Sequence, residues 1–351
     1  MEHRSTLDGL TTFLAHPRRI DPRPAWGRLL ALPLLTTLSG CQGVQSALDP
    51  AADDAGRLAL LSWVLFGGGT AIFVLVMALV LVAVYAPPER RRWLGSSRAI
   101  VIGGFVFPTV TLTALLIFGL SMMRANNASG EADPLRIEVI GEQYWWRVTY
   151  LEDGADPAFV TANEIHVPVG RRVQILLKSA DVIHSFWIPN FAGKVDMIPG
   201  HTNSLHFTAQ REGVYRGQCT EFCGDQHALM VFDVVASEPA AFAGWRTRQT
   251  RDAAAPATPF LARGQELFIR SGCGNCHTVR GTRAEGVLGP DLTHVGSRRS
   301  IGAGVFPNNA GTLGGWIANT QHLKGGARMP SYGSFTGEEL RAVAEYMESL
   351  K

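Results

Sequence analysis

Two thiols, an imidazole and a thioether are crowded into one twelve-residue segment, CTEFCGDQHALM. These groups belong to Cys219, Cys223, His227 and Met230, and a further histidine, His184, lies upstream in VIHSFW. Soft sulfur ligands combined with imidazole favour copper over magnesium or calcium. A disulfide would explain the two cysteines of an exported chain but not the histidine and methionine. The pattern therefore predicts a copper site, in which two thiolates can bridge two copper ions, with structural zinc as the alternative.

A second constellation, CGNCH, follows near the C-terminal end. Cys273 and Cys276 can form thioether bonds to a porphyrin, and the adjacent His277 is then held beneath the iron. This is the spacing of a haem c attachment motif, whereas a redox C-x-x-C would not require the histidine. The sixth iron ligand must come from further along the chain. We favour Met329 in the loop GGARMP, because methionine with histidine raises the potential and suits electron transfer; the other candidates are His322, His294 and Met347.

The first 40 residues have the organisation of a secretory signal. Several arginines precede the short apolar run 29–38, and small residues follow before Cys41. A charged region, a short apolar region and small residues at a cleavage site define such a signal. The ending LSGC resembles that of a bacterial lipoprotein, which predicts lipidation of Cys41. An ordinary signal peptide with a chance cysteine is the alternative.

Two long uncharged stretches must anchor whatever follows. Residues 58–85 and 99–123 each exceed the length that crosses the ~30 Å hydrocarbon core of a bilayer. The connecting loop is rich in arginine, which stays on the cytoplasmic side. Residues 50–130 are therefore predicted to form a transmembrane hairpin in a bacterial inner membrane, with the rest of the chain on the periplasmic face.

The amino-acid composition of the remaining sequence divides it into two domains and a linker. Residues 131–236 contain short β-branched runs separated by Pro, Gly, Asn and Asp, which predicts a β-sandwich or barrel. Residues 237–258 end in an Ala- and Pro-rich run typical of a semi-rigid linker, and residues 259–351 have helical character. The 32 basic and 30 acidic residues give a net charge of only +2, which argues against a nucleic-acid binder.

The copper segment resembles the binuclear copper (CuA) motif of cytochrome c oxidase subunit II, and the resemblance covers residues 50–236. It implies a cupredoxin-like fold in which Cys219 and Cys223 bridge the two coppers. It further implies that one copper takes His184 and Met230, and the other His227 and the backbone carbonyl of Glu221. The carboxylate of Glu221 would bind magnesium at the boundary with subunit I.

Two further features follow from this resemblance. The aromatic cluster that receives electrons in the family corresponds to Tyr144, Trp145 and Trp146, with tyrosine where tryptophan is usual. The C-terminal domain resembles small, all-α class I cytochromes c, in which the carbonyl corresponding to Pro290 accepts a hydrogen bond from the proximal histidine.

Together these features resemble subunit II of a caa-type haem-copper oxidase with a fused cytochrome c domain. The resemblance implies an electron relay from a cytochrome donor, through haem c and CuA, to haem a of subunit I. The chain itself has no histidine-bearing bundle to hold the oxygen-reducing centre. The same subunit of a CuA-containing nitric oxide reductase is the alternative. A copper chaperone or storage protein and a quinol oxidase are disfavoured, and a nitrous oxide reductase would need a propeller for which the chain has no room.

The charges of the two domains predict how they meet. Residues 131–236 hold 14 acidic and eight basic residues, a net charge of −6, whereas residues 259–351 hold ten basic and seven acidic residues, a net charge of +3. Opposite signs favour docking, and a tether keeps the effective concentration near millimolar. We therefore expect electron transfer between the domains to depend only weakly on salt.

Overall fold

The computed structural model describes Gly40 and residues 42–127, 133–152 and 157–351. The predicted signal segment, apart from Gly40, and the predicted lipid attachment at Cys41 lie outside the described residues. The span Gln42–Lys351 forms one unit. Its order of elements confirms the predicted fold class, which is a pair of apolar helices, then a β-sandwich, then a helical domain.

Two helices are long and apolar enough to cross a membrane. The first, α1, is Asp53–Tyr85, and the second apolar stretch is Ser97–Met123. Their most apolar windows contain no buried residues, so these surfaces need lipid around them. The helical pieces after α1 are α2 Pro88–Arg91, a 3-10 turn Arg92–Gly95, α3 Ser97–Val101, a π-helical turn Ile102–Val106 and α4 Phe107–Asn127.

The π-helical turn lies directly before Pro108. Proline has no N–H, and its ring collides with the carbonyl one turn earlier in a regular helix. A single π turn changes that spacing, and this is a common accommodation inside long helices. The second apolar helix therefore continues past the proline.

Two five-stranded sheets form the β-sandwich. One has the order β3-β2-β1-β5-β8 and the other β4-β10-β9-β6-β7. Strands β1 and β5 run parallel, as do β4 and β10, and the other pairs are antiparallel. The strands are β1 Leu135–Glu142, β2 Trp145–Leu151, β3 Pro157–Ala162, β4 Glu164–Pro168, β5 Arg172–Ser179, β6 His184–Trp187, β7 Val195–Met197, β8 Asn203–Thr208, β9 Gly213–Cys219 and β10 Val231–Ser237.

Aromatic side chains fill the space between the sheets close to the copper ligands. Trp146 is fully buried, and its ring meets the edges of Phe186 and Phe232 at centroid distances of 5.6 and 5.1 Å. Burying aromatic rings of this size dominates the stability of such a core. The first membrane helix is fixed to the same body, because Asp53 accepts hydrogen bonds from Thr208 N and from the Arg172 guanidinium.

A helix occupies half of the segment that we expected to be a linker. Residues Pro239–Gln249 form α5, which begins at a proline in its first turn. Phe242 is buried against the sandwich, and Trp245 stacks on His166 with ring centroids 4.0 Å apart. The segment that we expected to be a linker therefore contains a packed helix, because two aromatic residues spaced three apart supply a face that packs. Only the residues after Gln249 remain irregular.

Three helices build the C-terminal domain: α6 Pro259–Arg270, α7 Ala310–Leu323 and α8 Gly337–Ser349. Short strand pairs β11 Thr278–Val279 with β12 Ala284–Glu285, and β13 Ser300–Ile301 with β14 Phe306–Pro307, complete it. Helices α6 and α8 cross in close contact at Gly264. A Cβ there would lie 2.1 Å from the Ala342 carbonyl oxygen, so only glycine permits this crossing.

Candidate functional site

The predicted copper ligands come together at one end of the β-sandwich. Cys219 ends β9 and His184 begins β6, and these two strands are paired. The loop after Cys219 returns through a 3-10 turn, His227–Leu229, so that Met230 precedes β10. The fold thus joins the distant histidine to the local segment by strand pairing.

Sulfur and nitrogen atoms of this cluster face one another at similar distances. The Sγ atoms of Cys219 and Cys223 are 3.9 Å apart. His184 Nδ1 lies 3.8 Å from Cys219 Sγ, and His227 Nδ1 lies 3.7 Å from Cys223 Sγ. Met230 Sδ is 3.8 Å from Cys223 Sγ. The two thiols are too far apart for a disulfide, whose sulfurs would be about 2.05 Å apart.

The backbone carbonyl and the side chain of Glu221 have different surroundings. Its backbone carbonyl accepts a hydrogen bond from Cys219 Sγ at 3.2 Å, while its side chain is exposed. The carbonyl is therefore directed into the cluster, and the carboxylate is free to meet a partner at the surface. This geometry is compatible with both roles that we predicted for the residue.

The electrostatics of the two buried thiols favour one negative charge between them rather than two. A hydrogen bond from Cys223 lowers the pKa of Cys219 far below its usual range. The neighbouring thiolate, together with burial, raises the pKa of Cys223. Like charges this close cannot both form without a counter-charge. A cation bound between the sulfurs would supply that charge, which is the behaviour of a metal site.

His184 is oriented by a carboxylate that our sequence reasoning did not identify. Its Nε2 lies 2.8 Å from Asp181 Oδ1, which leaves Nδ1 directed at Cys219. Burial disfavours the charged imidazole, but hydrogen bonds to Cys219 and Asp181 outweigh it and raise the pKa of His184. Metal-binding histidines are commonly oriented by such a partner. The sequence could have indicated this partner, because Asp181 precedes His184 by only three residues.

The donor set fits copper better than zinc. Three of its members, His184, Cys219 and Cys223, have ligand atoms within 4.8 Å of one another and are buried. Zinc rarely takes a thioether, whereas copper accepts thiolate, imidazole and thioether together. The fully buried Met230 faces the same sulfurs. Residues of this kind can hold a copper pair.

The predicted haem residues line one large cavity in the C-terminal domain. Its volume is about 390 Å³, and its wall is largely apolar. Cys273, Cys276, His277 and Met329 all contribute to the wall. An apolar cavity of this size in the middle of a small domain suits a flat, largely apolar cofactor such as haem.

His277 is prepared to bind a metal through Nε2. Its Nδ1 donates a hydrogen bond to the Pro290 carbonyl, at 2.8 Å. Burial lowers the pKa of this imidazole, so the neutral form dominates. A Cβ on Gly289 would lie 2.6 Å from His277 Cε1, so the loop can pass this close only without a side chain. The ring is thereby held in one orientation.

The candidates for the sixth ligand are separated by their positions. Met329 lines the cavity and packs on the core of its domain. His322 is exposed and does not line the cavity. His294 is buried with Nε2 3.0 Å from the Arg251 carbonyl oxygen. Met347 lines the same cavity from α8 as part of the core. The geometry favours methionine over histidine.

The three aromatic residues predicted to receive electrons are placed differently from one another. Tyr144 and Trp145 are half-buried and line the haem cavity, although they belong to the copper domain. Tyr144 Oη accepts a hydrogen bond from Asp225 N in the copper loop, at 3.1 Å. Trp146 is fully buried in the sandwich core. Strand alternation turns Trp146 inward, away from the side of its neighbour Trp145, and electron entry through the three residues stays a prediction.

The two domains are in contact through hydrogen bonds and one ion pair. Arg328 Nη2 lies 3.5 Å from Asp181 Oδ2. The backbone N–H of Arg299 donates to Glu164 at 2.8 Å, and Ser300 Oγ donates to Asp233 at 3.1 Å. In each of these contacts the donor belongs to the haem domain and the carboxylate to the copper domain. These contacts close the haem cavity with a wall from the other domain.

Comparison with known proteins agrees with this division. Residues 137–237 match the family described as cytochrome C oxidase subunit II, periplasmic domain, and residues 261–351 match cytochrome c. Cytochrome c oxidase subunit 2 of Alkalihalophilus pseudofirmus is 32% identical over 346 residues, which are 92% of this chain and 97% of that protein. The chain belongs to the cytochrome c oxidase subunit 2 family.

Other family members are similar over less of their length. The Bacillus subtilis protein is 34% identical over 70% of each chain, and the protein of Bacillus sp. strain PS3 is 31% identical over 68% of this chain and 69% of its own. Membership implies a role in electron transport within a haem-copper oxidase, together with subunit I. The two matched domains imply copper and haem c as cofactors. With its two apolar helices, the chain is a membrane-anchored protein.

Proposed function

We propose that this chain is the electron-relay subunit of a proton-pumping, caa-type terminal oxidase. Electrons from a cytochrome donor would reach haem c, then the CuA pair, then haem a of subunit I, where oxygen is reduced to water. The observation that carries this proposal is the shared wall of the two sites. Tyr144 lines the haem cavity and also accepts a hydrogen bond from the copper loop.

The groups bound at the two sites supply reversible one-electron chemistry, and the protein's part is to hold them close and rigid. Burial of Cys219, Cys223 and Met230 excludes water from the copper ligands. Pairing of β6 with β9 fixes the position of His184. A site that changes little in geometry on gaining an electron needs little reorganisation, which is why rigidity matters here.

We assign the copper ligands as His184, Cys219, Cys223, His227, Met230 and the carbonyl of Glu221. We assign haem c attachment to Cys273 and Cys276, with His277 and Met329 as axial ligands. The contacts and cavity described above support both sets. The exposed carboxylate of Glu221 supports a magnesium site shared with subunit I. The arginine-rich loop between the apolar helices supports a bacterial inner membrane location with periplasmic domains.

The experiment is to purify the complex that contains this chain from membranes. Reduced c-type cytochrome is then supplied with either oxygen or nitric oxide, and consumption of each gas is measured. We expect one covalent haem c per chain, the EPR signal of a mixed-valence copper pair, and oxygen consumption. Consumption of nitric oxide but not oxygen would favour the reductase alternative. Purification of this chain without any partner subunit would overturn the relay.

A further inference from the structure

Lys324 is buried at the boundary between the two domains. It follows α7 in the haem domain, and only 2% of its surface is exposed. Its ammonium donates three hydrogen bonds, to the carbonyl oxygens of Tyr144 at 2.9 Å, Leu229 at 2.8 Å and Gly302 at 2.9 Å. An ammonium has three donors, so all of them are used.

The three carbonyls belong to three segments that must stay together for electron transfer. Leu229 lies in the copper loop between two predicted ligands, His227 and Met230. Tyr144 belongs to the wall of the haem cavity. Gly302 lies in the haem domain between β13 and β14. One side chain therefore joins the copper loop, the cavity wall and the haem domain.

Burial of the Lys324 ammonium costs free energy. Taking an ammonium out of water is unfavourable, and hydrogen bonds only partly offset it. Burial lowers the pKa of Lys324 to about 7, against a smaller opposing effect of Cys223. Among the residues described by the structure, no carboxylate forms an ion pair with Lys324. The backbone carbonyls are thus its chief compensation, and separation of the domains would remove two of the three.

Neighbouring contacts make the docked arrangement tight as well as specific. Val231 N donates to the Ala303 carbonyl across the boundary, at 3.2 Å. A Cβ on Gly304 would lie 2.5 Å from Val231 Cγ2, so the Val231 side chain packs directly against the Gly304 backbone. Val231 directly follows Met230. The haem domain therefore rests against the copper loop itself.

We propose that Lys324 is the positioning residue for electron transfer between the two domains. It holds the haem domain in one fixed pose on the copper loop, so that transfer occurs within a single body. This inference rests on the proposed relay and adds to it. It adds a fixed docking contact to the tether that we expect between the two domains.

The test uses the whole purified complex and compares Lys324→Met with Lys178→Met. The second variant removes the same charge from the exposed end of β5, where Lys178 pairs with Glu138. One electron is injected into haem c by a light-driven donor, and its arrival at the copper pair is followed at several viscosities. Optical and EPR spectra establish that both variants carry haem and copper.

In the wild-type protein and in Lys178→Met we expect a rate that is independent of viscosity. In Lys324→Met we expect transfer about tenfold slower or more, because up to three buried carbonyls lose their donor. The slower rate should also fall as viscosity rises, because the haem domain must first return to its pose. Lys324→Gln retains two N–H donors, so its transfer rate should lie between those of the wild type and Lys324→Met. Hydrogen exchange of residues 298–304 should increase in the same order.

Equal rates and equal exchange in Lys324→Met and the wild type would overturn this role for Lys324 while leaving the relay intact. A slower but viscosity-independent rate would also contradict it, because a fixed pose would then survive without the lysine. Absence of transfer from haem c to copper in the wild type is a different result. It would defeat the proposed function itself, so the two failures are distinguishable.

Discussion

The copper cluster and the haem cavity solve the problem of holding a cofactor in opposite ways. In the copper cluster the ligand atoms lie 3.7–3.9 Å apart, and the two cysteines are almost fully buried. In the haem domain the ligands surround a cavity of about 390 Å³, and Cys276 is exposed. One site is a compact cluster of ligand atoms, and the other is a cavity that suits a flat macrocycle.

The difference follows from what each cofactor replaces. Two metal ions occupy little volume, so the sandwich core can close without them through Trp146, Phe186 and Phe232. Haem takes the place of a core, and a domain of about ninety residues has little other apolar surface to bury. The copper domain should therefore fold without its cofactor, and the haem domain should depend on its own.

The largest effect should follow loss of haem attachment. In Cys273→Ala/Cys276→Ala the cavity loses its covalently held filling, so we expect the C-terminal domain to lose its cooperative unfolding transition. Hydrogen exchange resolved by segment measures this, with the β-sandwich of the same chain as the internal control. If the haem domain of this variant remained as protected from exchange as that of the wild type, its folding would not depend on haem.

Cys223→Ser should abolish function while leaving the fold. The remaining thiolate supplies only one of the two sulfur bridges, so we expect at most one copper and no rapid transfer to haem a. The apo domain should lose only about 1–2 kcal/mol of unfolding free energy, typical of one buried polar substitution. Metal analysis measures the copper content, EPR tests for the copper pair, and thermal unfolding measures the change in stability. Two coppers with an unchanged EPR signal would refute the bridging assignment.

Asp181→Asn should weaken copper binding by about 10- to 100-fold, the usual consequence of losing the partner of a metal-binding histidine. The carboxylate holds His184 through Nε2, and asparagine supplies a weaker acceptor there. Competition with a chelator measures the affinity. Asp196→Asn, on the exposed strand β7, is the matched control. Equal affinities in the two variants would mean that Asp181 does not orient the ligand.

The smallest effect should come from Tyr144→Phe. The variant loses one hydrogen bond, from Asp225 N to Oη, which contributes about 0.5–1.5 kcal/mol. The ring that fills the wall remains, so we expect transfer between the domains to change by less than tenfold. Rates in the purified complex test this. A complete loss of transfer would assign the hydroxyl a role far beyond packing.

Much of both sites could be predicted because their ligands are local in sequence. Cys219, Cys223, His227 and Met230 lie within one turn-rich loop, and CGNCH is contiguous. The short β-branched runs likewise predicted a sandwich. These features depend on spacing along the chain, and spacing is visible without a structure.

The contacts between domains could not be predicted, because they depend on how separate elements pack. Nothing about Lys324 in the sequence distinguishes it from a surface lysine after a helix. The helix α5 replaced a predicted linker because Phe242 and Trp245 found partners on the sandwich. The burial of Trp146 could not be inferred from the aromatic cluster alone, because alternate residues of a strand face opposite sides.

The most direct test of the account follows one electron from a soluble cytochrome donor into the intact complex. Reduction of haem c and of the copper pair is recorded in the same trace, at low and at high salt. We expect haem c to be reduced first, with a salt-dependent second-order rate. The copper pair should then be reduced as haem c is reoxidised, at a rate that salt does not change. Reduction of the copper pair by the donor before or without haem c would contradict the relay.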